Sequence, residues 1–201
     1  DAKSLNGENQ VDMSDIGKKE RETQNRVIAL FQNELNYDYL GNWEERENNS
    51  NVEEELLRAY LTRKKYSPNL INKALYAFGK AVNDQSKSLY HVNKEVYSML
   101  RYGVNVQPET GHNKETVWLI DWKNPQENDF AIAEEVTIKG IHKKRPDIVL
   151  YVNGIALGVL ELKRSTVSIS EGIRQNLDNQ KHIFIKPFFS TVQYVMAGND
   201  I

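Results

Sequence analysis

The sequence predicts a mixed α/β fold, in which a central mixed β-sheet is flanked by helices and preceded by a helical block. Three observations support this prediction. Helical spacing of apolar residues dominates the first half of the chain, alternating and apolar runs dominate the second half, and an Asn-Gly pair joins two of those runs. With 201 residues, the chain is long enough to form one substantial core.

The first half contains four predicted helices. The earliest covers 18–36, with an apolar stripe of Val27, Leu30, Phe31 and Leu35. Extended towards the N-terminus, this stripe brings in Gln24, Thr23 and Glu20. Three more are predicted over 52–65, 68–83 and 89–101. We interpret 52–101 as a helical layer or insertion, because no linker rich in Pro, Gly or Ser bounds it.

The second half contains the predicted strands and one helix. The strands cover 104–106, 116–120 and 130–138, then a hairpin, and finally 188–197. Ser168 and Glu171 have the spacing of a capping box, which predicts a helix to about residue 183. Ile173 and Leu177 mark its expected buried stripe. Gly172, alongside the polar side, would allow a close approach to another surface.

The composition excludes several classes of protein. The net charge is −2, so any contact with DNA must use a local basic patch. The chain has no cysteine, which excludes disulfides and thiolate metal sites. No apolar run approaches the roughly 20 residues of a membrane span, and no signal peptide is visible. These features fit a cytoplasmic protein that does not contact a membrane.

The predicted hairpin carries the residues with the clearest chemical meaning. Two runs rich in Val, Ile and Leu flank Asn153-Gly154, a pair typical of tight hairpin turns. The charged residues in or at the end of these runs are Asp147, Glu161 and Lys163. A charge on a half-buried strand is costly unless it is paired or binds a metal, and two carboxylates suit Mg²⁺.

The register of the hairpin decides whether the two carboxylates share a face. A plain two-residue loop places Asp147 opposite Leu160, so that Asp147 and Glu161 face opposite sides of the ribbon. A three-residue loop pairs Asp147 with Glu161 instead. We therefore predict either a three-residue loop with Gly154 in the left-handed region or a bulge in one strand.

Pro146-Asp147, a hairpin and then Glu161-Leu162-Lys163 together resemble the PD-(D/E)xK nuclease motif. The wider sequence is similar to the N-terminal nuclease region of type I restriction enzyme R (motor) subunits. This likeness spans most of the chain, is strongest over 119–199, and is carried by the segments 134–137, 144–147 and 172–176. An edge hairpin with ordinary surface charges is the alternative interpretation.

The resemblance implies a restriction-endonuclease-like fold and Mg²⁺-dependent hydrolysis of DNA phosphodiester bonds. Asp147 and Glu161 would hold the Mg²⁺, with the carbonyl of Leu162 as a further ligand. Lys163 would orient or help deprotonate the attacking water and offset developing negative charge. Gln175 would help position the water or the DNA backbone.

Further candidates lie around this group. Many related nucleases place an additional acid on an early helix, and Glu20 is our candidate for a metal ligand there; stabilisation of the helix dipole is its more common role. Glu134 or Glu135 could also join the metal site, although a surface position at a strand end is favoured. The family carries a Gln-x-x-x-Tyr motif: Gln175 matches its first position, but Asn179 stands where Tyr is expected. A solvated polar face is the alternative there.

Basic residues near the hairpin form the predicted DNA-binding patch. The run that leads into the first acid contains Lys139, His142, Lys143, Lys144 and Arg145. Residues that add to it are Lys163, Arg164, Arg174 and Lys181. Phosphate contacts carry no base information, so no sequence specificity is expected here. A solvated basic loop is the alternative.

We expect 1–17 to form a flexible leader and 18–201 a single nuclease domain. In the family this region leads into a helicase-like motor. No Gly-x-x-x-x-Gly-Lys-Ser/Thr loop occurs, so ATP would act only in a motor absent from this chain. The implied partners are double-stranded DNA and the modification and specificity subunits. A non-catalytic docking or scaffold domain is the alternative function, whereas a stand-alone nuclease is disfavoured.

Overall fold

The computed structural model describes residues 13–109, 111–140, 142–163, 167–181 and 185–199, with side chains from residue 21 onward. The helices are α1 (Met13–Asn33), α2 (Glu54–Arg63), α3 (Pro68–Val82), α4 (Leu89–Tyr102) and α5 (Ile169–Asn179). The strands are β1 (Asp38–Asn42), β2 (Val104–Val106), β3 (Glu115–Val117), β4 (Phe130–Glu134), β5 (Ile148–Val152), β6 (Ile155–Lys163) and β7 (Tyr194–Asn199). No helix in these ranges is both long and apolar enough to cross a membrane.

Five strands form a mixed sheet with the order β1-β4-β5-β6-β7. β1 runs parallel to β4 and β6 runs parallel to β7, whereas the β4–β5 and β5–β6 pairs are antiparallel. A parallel pair requires a crossover connection, and α5 lies in the one between β6 and β7. The predicted mixed α/β fold, with a helical block before the main strands, is confirmed.

Two of the predicted strands do not belong to the main sheet. β2 and β3 pair with each other as a separate two-stranded antiparallel sheet. Their buried residues Val104, Val106 and Val117 pack into the core of the helical block, which explains why they leave the main sheet. Among the neighbouring strands of the two described sheets, only β1 and β4 are not consecutive in the chain.

Each face of the main sheet has its own core. One face packs around Trp43, Tyr151 and Phe188. The other packs around Ile28 of α1 and Ile148 of β5. The helical block has a third core, formed by residues such as Tyr60, Phe78, Val96 and Ile155. Since Ile155 comes from β6, the helical block packs directly against the start of this strand.

The turn between β5 and β6 is held tightly against the helical block. Asn153 and Gly154 have φ angles of 51° and 81°, as expected for a two-residue turn with both central residues left-handed. A Cβ added to Gly154 would lie 2.7 Å from the carbonyl oxygen of Glu53. The side chain of Asn153 is fully buried; its Nδ2 donates to Leu119 O at 2.9 Å and its Oδ1 accepts from Asp129 N at 2.7 Å.

The buried face of α1 agrees with the predicted stripe only in part. Leu30 and Leu35 are each 50% exposed, whereas Thr23, Gln24 and Ile28 are buried. Gln24 donates a hydrogen bond to the carbonyl oxygen of Asp147 at 3.2 Å, which holds this polar position against the sheet. The helix also begins at Met13, earlier than the predicted residue 18.

Two strand boundaries also differ from prediction. β4 ends at Glu134 rather than residue 138, because Glu135 adopts a left-handed φ of 52° that interrupts the strand. The segment Lys186–Ser190 forms a short 3₁₀ helix, and β7 begins only at Tyr194. Pro187 lies at the start of that 3₁₀ helix, where its fixed φ is compatible with a helical turn.

Candidate active site

The hairpin of β5 and β6 has the register that brings its two acids together. A regular hairpin with this two-residue turn would pair Asp147 with Leu160. Instead, Ile148 pairs with Leu160, because Leu157 is an unpaired extra residue that forms a bulge in β6. Continuing this register by one residue places Asp147 opposite Glu161 and on the same face of the sheet. The predicted bulge is confirmed, and the three-residue loop is not formed.

Neighbouring segments stabilise the bulge through its backbone groups. Thr191 Oγ1 donates to Ala156 O at 2.7 Å. Ala156 N donates to Asn51 O at 2.9 Å, and Gln193 N donates to Leu157 O at 2.8 Å. The polar groups that the bulge removes from the strand ladder are therefore hydrogen-bonded, as buried backbone groups require.

The two carboxyl groups share one buried environment. Glu161 is fully buried. The pKa of Glu161 is raised to about 8, mainly by burial and then by the charge of Asp147 and a hydrogen bond with it, while Lys163 and Lys144 oppose the rise. Two acids held this close are unfavourable when both are ionised, and a divalent cation between them relieves that repulsion.

Backbone contacts fix the position of Asp147. Its Oδ2 accepts a hydrogen bond from Leu162 N at 2.6 Å, across the ribbon from its own strand. Its carbonyl oxygen accepts from Glu135 N at 2.9 Å and from Gln24 Nε2 at 3.2 Å. Asp147 is therefore held by β6, by the end of β4 and by α1.

Helix α5 brings amide groups to the other acid. Gln175 Nε2 donates to Glu161 Oε2 at 2.6 Å, and Asn179 Nδ2 donates to Glu161 Oε1 at 3.3 Å. Lys163 Nζ donates to Gln175 Oε1 at 2.8 Å. The structure thus brings together four of the predicted catalytic residues: Asp147, Glu161, Lys163 and Gln175.

This arrangement reverses the predicted orientation of α5. Ile173 and Leu177, the expected buried stripe, are 50% and 59% exposed. Gly172 and Asn179 are buried instead, and a Cβ on Gly172 would lie 3.0 Å from Ala197 Cβ. The predicted close approach at Gly172 is confirmed. The helix turns its polar side inward because Glu161, buried at the sheet surface, needs hydrogen-bond donors.

The donor set fits Mg²⁺. In the described part of the chain, no group of three or more His, Cys, Asp or Glu residues is arranged around a common point. The protein would therefore supply the carboxylates of Asp147 and Glu161, and Mg²⁺ usually binds through one or two carboxylates while keeping several waters. The further ligand implied by the resemblance, the carbonyl of Leu162, stays a prediction.

Glu134 is not a surface residue, contrary to the favoured prediction. It is 2% exposed and accepts hydrogen bonds from Arg21 at 2.6 and 3.0 Å and from Tyr39 at 2.6 Å. Burial acts to raise the pKa of Glu134, but the hydrogen bonds from Arg21 and Tyr39 outweigh it, so this pKa lies below its ordinary value. Because the carboxylate of Glu134 is bound by Arg21 and Tyr39, we assign it a structural role in joining α1 and β1 to β4.

Glu135 lies closer to the site. It forms an ion pair with Arg145 at 2.8 Å, and its side chain is 16% exposed. Burial raises the pKa of Glu135, the negative charge of Asp147 adds to this rise, and a hydrogen bond with Gln24 opposes it. Like Glu134, Glu135 is therefore more buried than the favoured prediction of a surface position. The side chain of Glu20, the predicted metal ligand on the first helix, lies outside the described side chains.

The basic loop contributes fewer free cations than predicted. Lys143 is exposed and makes no ion pair with the other described residues. Lys144 lies close enough to Glu161 for its positive charge to act against the rise in the pKa of Glu161. Arg145, by contrast, is held between Glu44 and Glu135. Arg145 is therefore partly neutralised within the protein itself.

The remaining basic residues are also paired or not described. Arg174 forms an exposed ion pair with Glu171 at 2.9 Å, and Lys181 forms one with Asp178 at 2.6 Å. Exposed pairs of this kind are weak and exchange readily, so both cations can turn to another anion. Arg164, which was predicted to contact DNA, lies outside the described residues.

Two residues that support the site were not assigned these roles from the sequence. Gln24 was placed on the inward side of the first helix, yet only Glu20 was considered there. Asn179 was recognised as a departure from the family motif, with no role assigned. Helical spacing placed Gln24 on the correct face but put Asn179 on the side away from the predicted buried stripe, and in neither case did it indicate which atoms the amide would reach.

Comparison with known proteins identifies the family of the chain. The family model described as "Type I restriction enzyme R protein N terminus" matches residues 17–201. The putative type I restriction enzyme MjaVIIP endonuclease subunit of Methanocaldococcus jannaschii is 36% identical over 102 residues, or 49% of this chain and 9% of that protein. The type I restriction enzyme HindI endonuclease subunit of Haemophilus influenzae is 33% identical over 105 residues, or 50% of this chain and 10% of that protein.

A third relative has a similar level of identity. The type I restriction enzyme EcoprrI endonuclease subunit of Escherichia coli is 31% identical over 77 residues, or 38% of this chain and 23% of that protein. The aligned part of the chain therefore spans less than a quarter of each of these relatives. The family match covers nearly all of this chain, and the chain belongs to the family of type I restriction enzyme R protein N-terminal domains.

Proposed function

We propose that this chain is the Mg²⁺-dependent endonuclease domain of a type I restriction R subunit and hydrolyses DNA phosphodiester bonds. The observation that carries the proposal is the bulge at Leu157, which puts Asp147 opposite the fully buried Glu161 and on the same face as Lys163. A β-ribbon without ligand chemistry has no need of two adjacent, partly buried carboxylates, because their mutual repulsion destabilises the fold.

Each residue has a distinct role in the proposed reaction. Asp147 and Glu161 would hold the ion against the scissile phosphate. The chemistry that Mg²⁺ supplies when bound is polarisation of the phosphate and a lowered pKa of a coordinated water. Lys163, oriented by its 2.8 Å hydrogen bond to Gln175, would align the attacking water and offset negative charge on the phosphate.

The domain would cut DNA without reading its sequence. Exposed cations such as Lys143 and Arg174 lie on the basic loop and on α5, where contact with phosphates would position the duplex without specifying bases. Target recognition would then reside in the specificity and modification subunits of the complex, and ATP would act only in the motor region of the R subunit.

Calorimetric titration of the chain with Mg²⁺ and Mn²⁺ tests the proposal. We expect the wild-type chain to bind a divalent ion, and Asp147→Asn and Glu161→Gln to abolish this binding. Glu171→Gln is the matched control, because it removes an exposed carboxylate of α5 whose ion-pair partner among the described residues is Arg174. Absence of binding in the wild-type chain, or equal binding in all four proteins, would contradict the proposal.

A docking or scaffold role is the second candidate function. The observation that favours it is the exposed apolar stripe of α5, formed by Ile169, Ile173 and Leu177, which are 42%, 50% and 59% exposed. Exposed apolar patches on soluble domains often mark contact surfaces. A scaffold need not bind a metal, so the same titration separates the two functions.

A further inference from the structure

The inward face of α5 is polar although the helix has apolar residues to bury. Asn176 and Asn179 are 3% and 1% exposed, whereas Ile173 and Leu177 are at least half exposed. Rotation of the helix about its axis would bury more apolar surface, which is the usual orientation of an amphipathic helix. Interactions of the inward amides must therefore outweigh this loss.

Two of the inward amides hold the two oxygens of a single carboxylate. Gln175 Nε2 lies 2.6 Å from Oε2 of Glu161, and Asn179 Nδ2 lies 3.3 Å from its Oε1. Glu161 is fully buried, so bulk water does not compete for these bonds. With a donor on each oxygen, the carboxylate plane is held against rotation, as second-shell partners do at metal sites.

Asn179 differs from Gln175 in what else its amide contacts. Gln175 Oε1 also accepts a hydrogen bond from Lys163. The Oδ1 of Asn179 is buried and has no hydrogen-bond partner among the described residues. A buried unpaired oxygen destabilises a fold, and leucine has the same number of side-chain heavy atoms without that penalty. Packing therefore does not explain why this position holds asparagine.

We propose that Asn179 is a positioning residue, which orients the carboxylate of Glu161 so that it and Asp147 can bind one metal ion. This inference rests on the proposed nuclease function. The resemblance to the nuclease family leads us to expect Tyr at this position. An asparagine amide keeps a hydrogen-bond donor one helical turn after Gln175, and it directs that donor at the metal-binding acid.

Asn179→Leu tests the inference, because it removes the donor and keeps the side-chain shape. The matched control is Asn176→Leu, since Asn176 is equally buried on the same helix but donates to Met196 O at 2.9 Å and not to Glu161. Mn²⁺ affinity is measured by calorimetry, and Tm is measured without metal. We expect Asn179→Leu to weaken Mn²⁺ binding about tenfold or more, with no greater loss in Tm than the Asn176→Leu control shows. Asn176→Leu should retain the wild-type affinity.

The inference is overturned if Asn179→Leu binds Mn²⁺ as tightly as the wild-type chain. It is also overturned if both leucine variants lose affinity in proportion to their loss in Tm, because the role of Asn179 would then be structural. Should Asn179→Leu not fold, Asn179→Ala gives the same comparison with a smaller side chain. A wild-type chain that binds no Mn²⁺ overturns the proposed function and this inference with it.

Discussion

Asp147 lies directly opposite Glu161 because β6 contains one residue more than β5 between the hairpin turn and the acids. That residue is Leu157, and removing the irregularity would move Glu161 to the other face of the sheet. The candidate site therefore depends on this bulge. Substitution of the residues that hydrogen-bond to the bulge tests how firmly it is held.

Thr191→Val should loosen the bulge. The variant keeps the side-chain shape but leaves the buried carbonyl of Ala156 without the 2.7 Å hydrogen bond from Thr191 Oγ1. We expect a loss of about 1–3 kcal/mol in the free energy of unfolding, measured by urea denaturation. Thr62→Val is the control, because Thr62 makes an equivalent bond to Arg58 O on an exposed helix face, where the cost should stay below about 0.5 kcal/mol. Equal losses for both variants would contradict this.

Glu161 should give the metal-free chain a characteristic pH dependence. Burial, with the charge of Asp147, raises the pKa of Glu161 from 4.5 to about 8. The folded chain therefore keeps a proton that the unfolded chain releases. The stability from this group is fully present below about pH 4.5 and is lost as the pH rises through about 8.

The comparison of wild type with Glu161→Gln isolates this effect. The free energy of unfolding, measured in EDTA, should fall for the wild type relative to the variant between about pH 5 and 8. Added Mg²⁺ should oppose the fall at high pH, because the metal binds the ionised carboxylate. A constant difference between the two proteins across this range would show that the pKa of Glu161 is not raised.

Arg21→Met should destabilise the protein by leaving Glu134 buried without its cation. The pair joins α1 to β4, and the Glu134 side chain is 2% exposed while that of Arg21 is 44% exposed. Because water can partly reach the vacated position, we expect a loss of about 1–3 kcal/mol in the free energy of unfolding. Arg58→Met is the control, since its pair with Glu54 lies on an exposed helix face and should matter little. A loss no larger than that of the control would refute the structural role of this pair.

Lys143→Ala should weaken DNA binding without changing metal affinity. Lys143 is exposed at the basic loop and makes no ion pair within the described structure. Fluorescence anisotropy with duplex DNA over a salt series should show weaker binding and a slope of log K against log salt that is smaller by about 1. Lys80→Ala, an exposed cation of α3, is the control. The same affinity and slope in both variants would exclude the loop from the DNA contact.

The sequence was sufficient to predict the hairpin, the need for either a bulge or a three-residue loop, and the group of residues at the end of the hairpin. The prediction worked because charged residues on apolar strands are costly, which restricts the possible registers. The position of Gly172 was informative for a similar reason, since a small residue on a helix indicates close packing.

The orientation of α5 could not be predicted in the same way. Apolar periodicity assigns Ile173 and Leu177 to the buried face. It contains no information about the buried carboxylate of Glu161 on the neighbouring strand β6, which the helix contacts. The pairing of Arg21 with Glu134 was missed for a related reason, because the partners are far apart in the chain. In both cases the contacts are hydrogen bonds between residues far apart in the chain, and local sequence patterns do not indicate such contacts.

The most direct test of the central claim is an anomalous diffraction measurement on crystals of the chain soaked in Mn²⁺. We predict one anomalous peak within about 2.0–2.4 Å of a carboxylate oxygen of Asp147 and of one of Glu161. No peak at this end of the hairpin, or a peak that contacts neither acid, would contradict the proposal that these two residues form a metal-dependent nuclease site.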